Sequence, residues 1–237
     1  MKLPLVLATA NSDKAREICE ILAETTGRAL AACALGVDEG DGAAPGDGGA
    51  AAFVVEEPTR IAAALDAVAP LADRPEVDET GVTLEENARI KARALADLLG
   101  LPALADDTGL EVDALGGAPG VRAARYAGDR ATDAENVAKL LDELDGVETS
   151  ARTARFVTVA MVRWPDGREV ARRGEVEGVI TTEVRGGGGF GYDPVFAPLD
   201  AGGRTFAEMD AAEKHARSHR GRALRALASA LAVEDPR

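Results

Sequence analysis

Hydrophobic and polar positions along the chain change period several times, and each change marks an element. Leu3 to Ala8 is a short apolar run that predicts a buried strand, and it ends on the polar segment Thr9-Ala10-Asn11-Ser12-Asp13-Lys14. Ala15, Ile18, Cys19 and Leu22 then recur at helical spacing, with Asn11 or Ser12 placed to cap that helix. From about residue 36 to 52 the chain is rich in Gly, Ala and Asp and has no period, which predicts a flexible insertion at 36–52. Order returns at Thr83-Leu84-Glu85-Glu86, a capping box whose helix should stop at Gly100 and Pro102.

A short strand from Pro102 to Ala105 is expected to end at Asp106-Asp107. Thr132-Asp133-Ala134-Glu135 is a second capping box, with its helix running to Gly146. Phe156 to Trp164 and Arg168 to Val176 read as strands joined at the turn Pro165-Asp166-Gly167. Leu224, Leu227, Ala228 and Leu231 mark a last helix. Strands mixed with helices, and one hairpin among them, predict an α/β fold with a partly antiparallel sheet, here taken as a single domain over residues 1–237.

Composition narrows the function classes. The net charge is −14, from 27 basic and 41 acidic residues, so binding to nucleic acid or an anionic membrane through a general basic surface is not expected. Apolar residues make up 46% and no run approaches a membrane span. The chain starts with too short an apolar run for a signal peptide, and Cys19 and Cys33 match no metal or redox spacing. A cytoplasmic protein with free thiols is the expectation.

Candidate chemistry collects in the polar segments. A strand entering a helix at Asn11 leaves backbone N–H groups at the positive end of the helix dipole, and Lys14 adds a full charge beside this anion site. A capped helix with a solvated lysine fits that segment equally well. Lys91 lies on the stripe Leu84, Ala88, Lys91, Leu95 that should face the core, so it must snorkel outward or meet a negative charge. Asp106 and Asp107 offer oxygen donors for Mg²⁺ and a carboxylate able to orient or deprotonate a water, against a solvated turn as the plainer alternative. Asp78 and Glu79 could add a second carboxylate arm.

The glycine run 186–191 invites a dinucleotide-loop reading, but that fingerprint requires a following helix, and Tyr192-Asp193-Pro194 interrupts one. It reads instead as a loop presenting Phe190 for base stacking, with Gly191 and Asp193 beside it and Tyr192 open to a structural role. His215 and His219 have a zinc-compatible spacing, but Lys214, Arg217, Arg220, Arg222 and Arg225 around them oppose a metal cation and suit an anion or a base edge.

Taken together, these segments resemble the Ham1/RdgB-type inosine triphosphate pyrophosphatases. The resemblance runs through Leu7 to Lys14, Glu79-Thr80-Gly81 to Lys91-Ala92, Ala105 to Leu110, Leu115 to Gly120, Ala124-Arg125-Tyr126, Gly189 to Pro194, and Ala207-Glu208 to Arg220. It implies an elongated mixed sheet with two lobes flanking a nucleotide-binding cleft, a homodimer, Mg²⁺, and hydrolysis of ITP, dITP or XTP to the monophosphate and pyrophosphate. By resemblance, Asp107 is catalytic and a metal ligand, with Asp78 as the other metal residue. Lys14, Lys91 and Lys214 match phosphate-binding lysines, while Phe190, Asp193, His219 and Arg220 match the base pocket. Thr9, Ala10, Asn11, Ser12, Asp13, Thr108, Gly191 and Tyr192 complete the implied substrate contacts. The chain departs from the pattern at Ala10 (often glycine), Asp78 (commonly glutamate), His215 (usually asparagine) and a long extra stretch between Leu22 and Asp78. A related enzyme for modified pyrimidine or methylated nucleotides, and a non-catalytic nucleotide sensor, are the rival readings.

Overall fold

The computed structural model describes residues 5–9, 11–26, 32–34, 52–55 and 77–234. Strands are β1 (Leu5–Ala8), β2 (Ala32–Ala34), β3 (Ala52–Val55), β4 (Ala103–Val112), β5 (Pro119–Gly120), β6 (Thr153–Arg163), β7 (Glu169–Ile180) and β8 (Phe196–Pro198). Helices are α1 (Ser12–Thr26), α2 (Leu84–Leu99), α3 (Asp133–Glu143), α4 (Ala211–Arg217) and α5 (His219–Glu234), with short 3₁₀ turns between. The chain folds as two compact units. One comprises residues 1–106, 160–172 and 224–237, and the other residues 107–159 and 173–223.

In the first unit the strand order is β2-β3-β1-β4-β6-β7. β1 pairs antiparallel with β3 and parallel with β4, so the sheet is mixed as expected. Ala15, Ile18, Cys19 and Leu22, the helical stripe of α1, are all buried. Helix α2 carries both halves of the expected Thr83–Glu86 capping box and ends at Gly100, whose φ is 64°. Leu95 and Ala96 pack against Ala103 at the start of β4. The expected insertion at 36–52 lies outside the described residues except for Ala52, which opens β3. β2 and β3 were not legible, since they are only three and four residues long.

In the second unit β5 pairs with β4, and β4-β6-β7-β8 follow in order. The core gathers Leu110, Val112, Leu140, Phe156, Ile180, Phe196 and Phe206, from strands, from α3 and from a 3₁₀ turn at Phe206. Helix α3 has the complete Thr132–Glu135 capping box and gives way at Leu144, before the expected Gly146. β6 and β7 both extend beyond the predicted hairpin arms.

One expectation needs correcting in kind. β4 does not stop at the aspartates; it continues through Asp106-Asp107-Thr108 to Val112, with nearly every residue buried. A polar triplet reads locally as a turn, whereas here Asp106 meets Lys14 and Thr108 meets Thr158, both from distant segments.

Candidate active site

In the first unit, Asn11 rather than Ser12 caps α1: its Oδ1 accepts the N–H of Lys14 at 2.9 Å. Thr9 Oγ1 accepts the Asn11 N–H at 3.2 Å, which fixes the turn from β1 into the helix. Ala10 lies outside the described residues, and Ser12 is described in its backbone alone. Asp13 is half-exposed and pairs with Arg16 at 2.7 Å along the helix surface.

Lys14 is not a solvated lysine. Its Nζ stands 3.2 Å from Asp106 Oδ1, and the Asp106 side chain is completely buried. Lys91 resolves the same way, with Nζ 3.1 Å from Glu79 Oε1. A lysine on a buried stripe must meet a negative charge, and Glu79 supplies it. Glu79 is placed because the preceding loop is tied to the first turn of α2. The Gly81 N–H donates to the Oδ1 of the fully buried Asn87 at 2.8 Å. Glu86 Oε2 accepts from Val82 at 2.7 Å and from Thr83 at 3.2 Å. Asp78, in the same loop, is exposed.

In the second unit, Asp107 is buried at the point where β4 enters it. Successive strand residues face opposite sides of a sheet, so the sequence-adjacent Asp106 and Asp107 carboxylates diverge. Thr108 Oγ1 lies 2.7 Å from Thr158 Oγ1 on β6 and accepts from Arg220 Nη2 at 3.2 Å. The Arg220 guanidinium, itself 2% exposed, also sits 5.4 Å from the centre of the Phe190 ring. Lys214 Nζ is 4.7 Å from that ring and 2.7 Å from Asp193 Oδ2. Phe190 keeps part of its surface exposed. Aromatic rings carry negative potential on their faces, so two cations here stabilise the ring position.

The Phe190 loop is held at each residue. The Phe190 N–H donates to Asp193 Oδ2 at 2.9 Å, the Gly191 N–H to Asp133 Oδ2 at 2.7 Å, and the Tyr192 hydroxyl to the Ala123 carbonyl at 2.8 Å. Tyr192 is therefore an anchor, and burial raises its phenol above the usual range, with smaller contributions from Tyr126 and Asp133. Gly189 makes the Asp193 contact possible: at φ 72°, a Cβ there would stand 2.1 Å from Asp193 Oδ2.

His219 and Arg220 owe their placement to a helix break. Ser218 leaves the helical region at ψ 152° and ends α4. Its hydroxyl then accepts the Gly221 N–H at 3.0 Å and caps α5. The two histidines consequently sit on different helices and do not share the single helical face that zinc spacing requires. His219 stacks on Phe156 at 4.4 Å with rings 13° apart. The start of α5 lies tight against β7 at Gly174, where a Cβ would fall 2.1 Å from the His219 carbonyl oxygen.

Sequence reasoning missed Thr158, Asp133 and the buried Arg152, which donates to the carbonyls of Leu144, Val147 and Thr181. Asp133 did carry a signal as a first-turn acid of a capping box, but nothing local joined it to a loop 58 positions away.

The chain is similar to several known proteins. The Ham1 family profile matches residues 50–230. The chain is 52% identical over 164 residues to the dITP/XTP pyrophosphatase of Lactobacillus johnsonii, covering 68% of this chain and 78% of that one. With the dITP/XTP pyrophosphatase of Thermus thermophilus it shares 55% identity over 152 residues, 64% of this chain and 72% of the other. Among solved structures, a HAM1 protein from Coxiella burnetii superposes with a TM-score of 0.68 at 35% identity, covering 98% of both chains. The Staphylococcus aureus Ham1 protein gives 0.63 at 40% identity, over 68% of this chain and 82% of that one. The chain belongs to the Ham1 family.

Proposed function

We propose that this Ham1-family protein hydrolyses non-standard purine nucleoside triphosphates, dITP, XTP and ITP, to the monophosphate and pyrophosphate. The observation that carries the reading is the position of Arg220. Its guanidinium lies over the Phe190 ring and bonds Thr108, the residue after Asp107. One side chain thus links an aromatic platform suited to a purine with the strand that bears the acidic pair.

In this reading the base stacks on Phe190, and donors on His219 and Arg220 meet its 6-keto oxygen. Adenine presents an amino donor at that position, and leaving buried donors unmatched costs roughly 1–3 kcal/mol each. Asp107 orients the attacking water and takes up its proton. The water oxygen bonds to the α-phosphorus, the bond from that phosphorus to the bridging oxygen breaks, and pyrophosphate departs. Lys14, Lys91 and Lys214 are the cations assigned to the phosphates. Their carboxylate partners orient them, and ligand oxygens must compete with those partners for the ammonium groups.

The donor set fits a hard divalent cation, since Asp107 and Asp78 offer oxygen alone. Mg²⁺ is typically held by one or two carboxylates, with water and substrate phosphate completing its shell. When bound, it would polarise the phosphoryl oxygens and lower the pKa of a bound water. The family resemblance also supports a homodimer, and the cysteine usage supports a cytoplasmic setting; among the described residues no helix is long and apolar enough to cross a membrane.

The deciding experiment is a panel of ITP, dITP, XTP, ATP, GTP and modified pyrimidine triphosphates, assayed for pyrophosphate release with and without Mg²⁺. Release from the first three, dependent on Mg²⁺ and far above ATP, is the expected result. Preference for a pyrimidine, or binding without turnover, overturns the reading.

A further inference from the structure

We infer that Asp133, at the start of α3, is a positioning residue for the nucleotide base: it holds the Phe190 loop in its stacking conformation. The inference rests on the pyrophosphatase reading and adds a residue that touches none of the reacting atoms.

Phe190 has a half-open ring, and its loop contains consecutive turns rather than regular structure. The Asp193 carboxylate accepts the Phe190 N–H within three residues and meets Lys214 of α4, so it ties the Phe190 end of the turn to that helix. The Tyr192 hydroxyl reaches out to Ala123 from one residue beyond Gly191. At Gly191 itself, φ is 61°, and the backbone N–H points to Asp133 Oδ2 at 2.7 Å. A charged acceptor at this distance makes a stronger bond than a neutral one.

The far end of that bond is well supported. Thr132 and Glu135 cap α3 reciprocally. Further along the helix, buried Asn136 accepts the Ala127 N–H at 2.8 Å and donates to the Ala124 carbonyl at 3.1 Å. Lys139 donates to the Tyr126 carbonyl at 2.8 Å. One edge of α3 therefore fastens two loops, residues 123–127 and the Phe190 loop, and Tyr192 bridges them by its bond to Ala123. Losing Asp133 should free Gly191 and let Phe190 sample positions that cannot stack. Substrate and transition state use the same stacked base, so the loss should appear in KM rather than kcat.

The test compares Asp133→Ala with Asp133→Asn in the full-length protein. Both remove the first-turn charge that favours the helix dipole, but the asparagine keeps an oxygen able to accept from Gly191. Expected for Asp133→Ala are faster amide exchange at Gly191 by NMR and a ~3–10-fold rise in KM for dITP, with kcat within ~2-fold of wild type. Asp133→Asn should stay close to wild type in both. Equal effects of the two variants would mean that Asp133 serves the helix terminus alone and would overturn the inference. So would unchanged Gly191 exchange, or faster exchange with unchanged KM. A wild-type protein that hydrolyses none of the purine triphosphates overturns the functional reading instead, and the exchange measurement still decides whether Asp133 anchors the loop.

Discussion

Asp193 Oδ2 lies 2.7 Å from the ammonium of Lys214, and the same oxygen accepts the backbone N–H of Phe190 at 2.9 Å. One carboxylate therefore sets the position of a cation and of the aromatic ring that the cation covers. Both side chains of the pair are almost fully buried, at 8% and 4% exposure. Desolvated charges of this kind depend on each other strongly.

Replacing Asp193 with Asn keeps an acceptor for Phe190 but leaves the Lys214 charge without its carboxylate. The unfolding free energy should fall by about 3 kcal/mol, the range for breaking one side of a buried pair. Urea titration measures this, and a change below ~0.5 kcal/mol would show that Lys214 is satisfied by other groups.

Asp107→Asn keeps the shape of the strand and removes the base. Turnover of dITP should drop by at least ~10²-fold while the protein stays folded. Activity within about tenfold of wild type removes Asp107 from the catalytic role.

Arg220→Ala should lower kcat/KM for ITP more than for ATP, reducing the ratio between them by ~10–100-fold. The keto base loses a matched donor, whereas adenine loses one that was already mismatched. Arg220 also bonds Thr108 in the protein interior, so the melting temperature is measured alongside. Equal proportional losses for the two substrates would place Arg220 in support of the fold or the phosphates.

Burial, aided by the neighbouring Glu20 charge, pushes the Cys19 thiol from 9.0 to about 11. The folded protein holds this proton more tightly than the unfolded chain. Its contribution is therefore fully present below pH 9.0 and is lost as the pH rises towards about 11. In a Cys33→Ser background, thiol modification at pH 8 should run ~100-fold slower than for an exposed cysteine and should rise on unfolding. Rapid modification of the native protein would contradict that burial.

What the sequence determined by itself is largely local. The capping boxes at Thr83 and Thr132, the stripe of α1 and the Gly100 stop depend on side chains three to four positions apart, so they can be read without the fold. The motif residues Asp107, Phe190 and Arg220 could be named as candidates for the same reason: their type and order survive in the one-dimensional string. Tertiary structure decided their partners. Asp106 and Thr108 read as turn residues until Lys14 meets Asp106 from 92 positions away, and Thr158 and Arg220 meet Thr108 from 50 and 112 positions away, inside a strand. Lys91 announced that it needed an anion, but its pairing with Glu79 depended on Asn87 holding the loop at Gly81. Asp133 gave no sign of its link to Gly191. Buried polar groups must find partners wherever the packed chain supplies them, and sequence distance places no limit on which residue that will be.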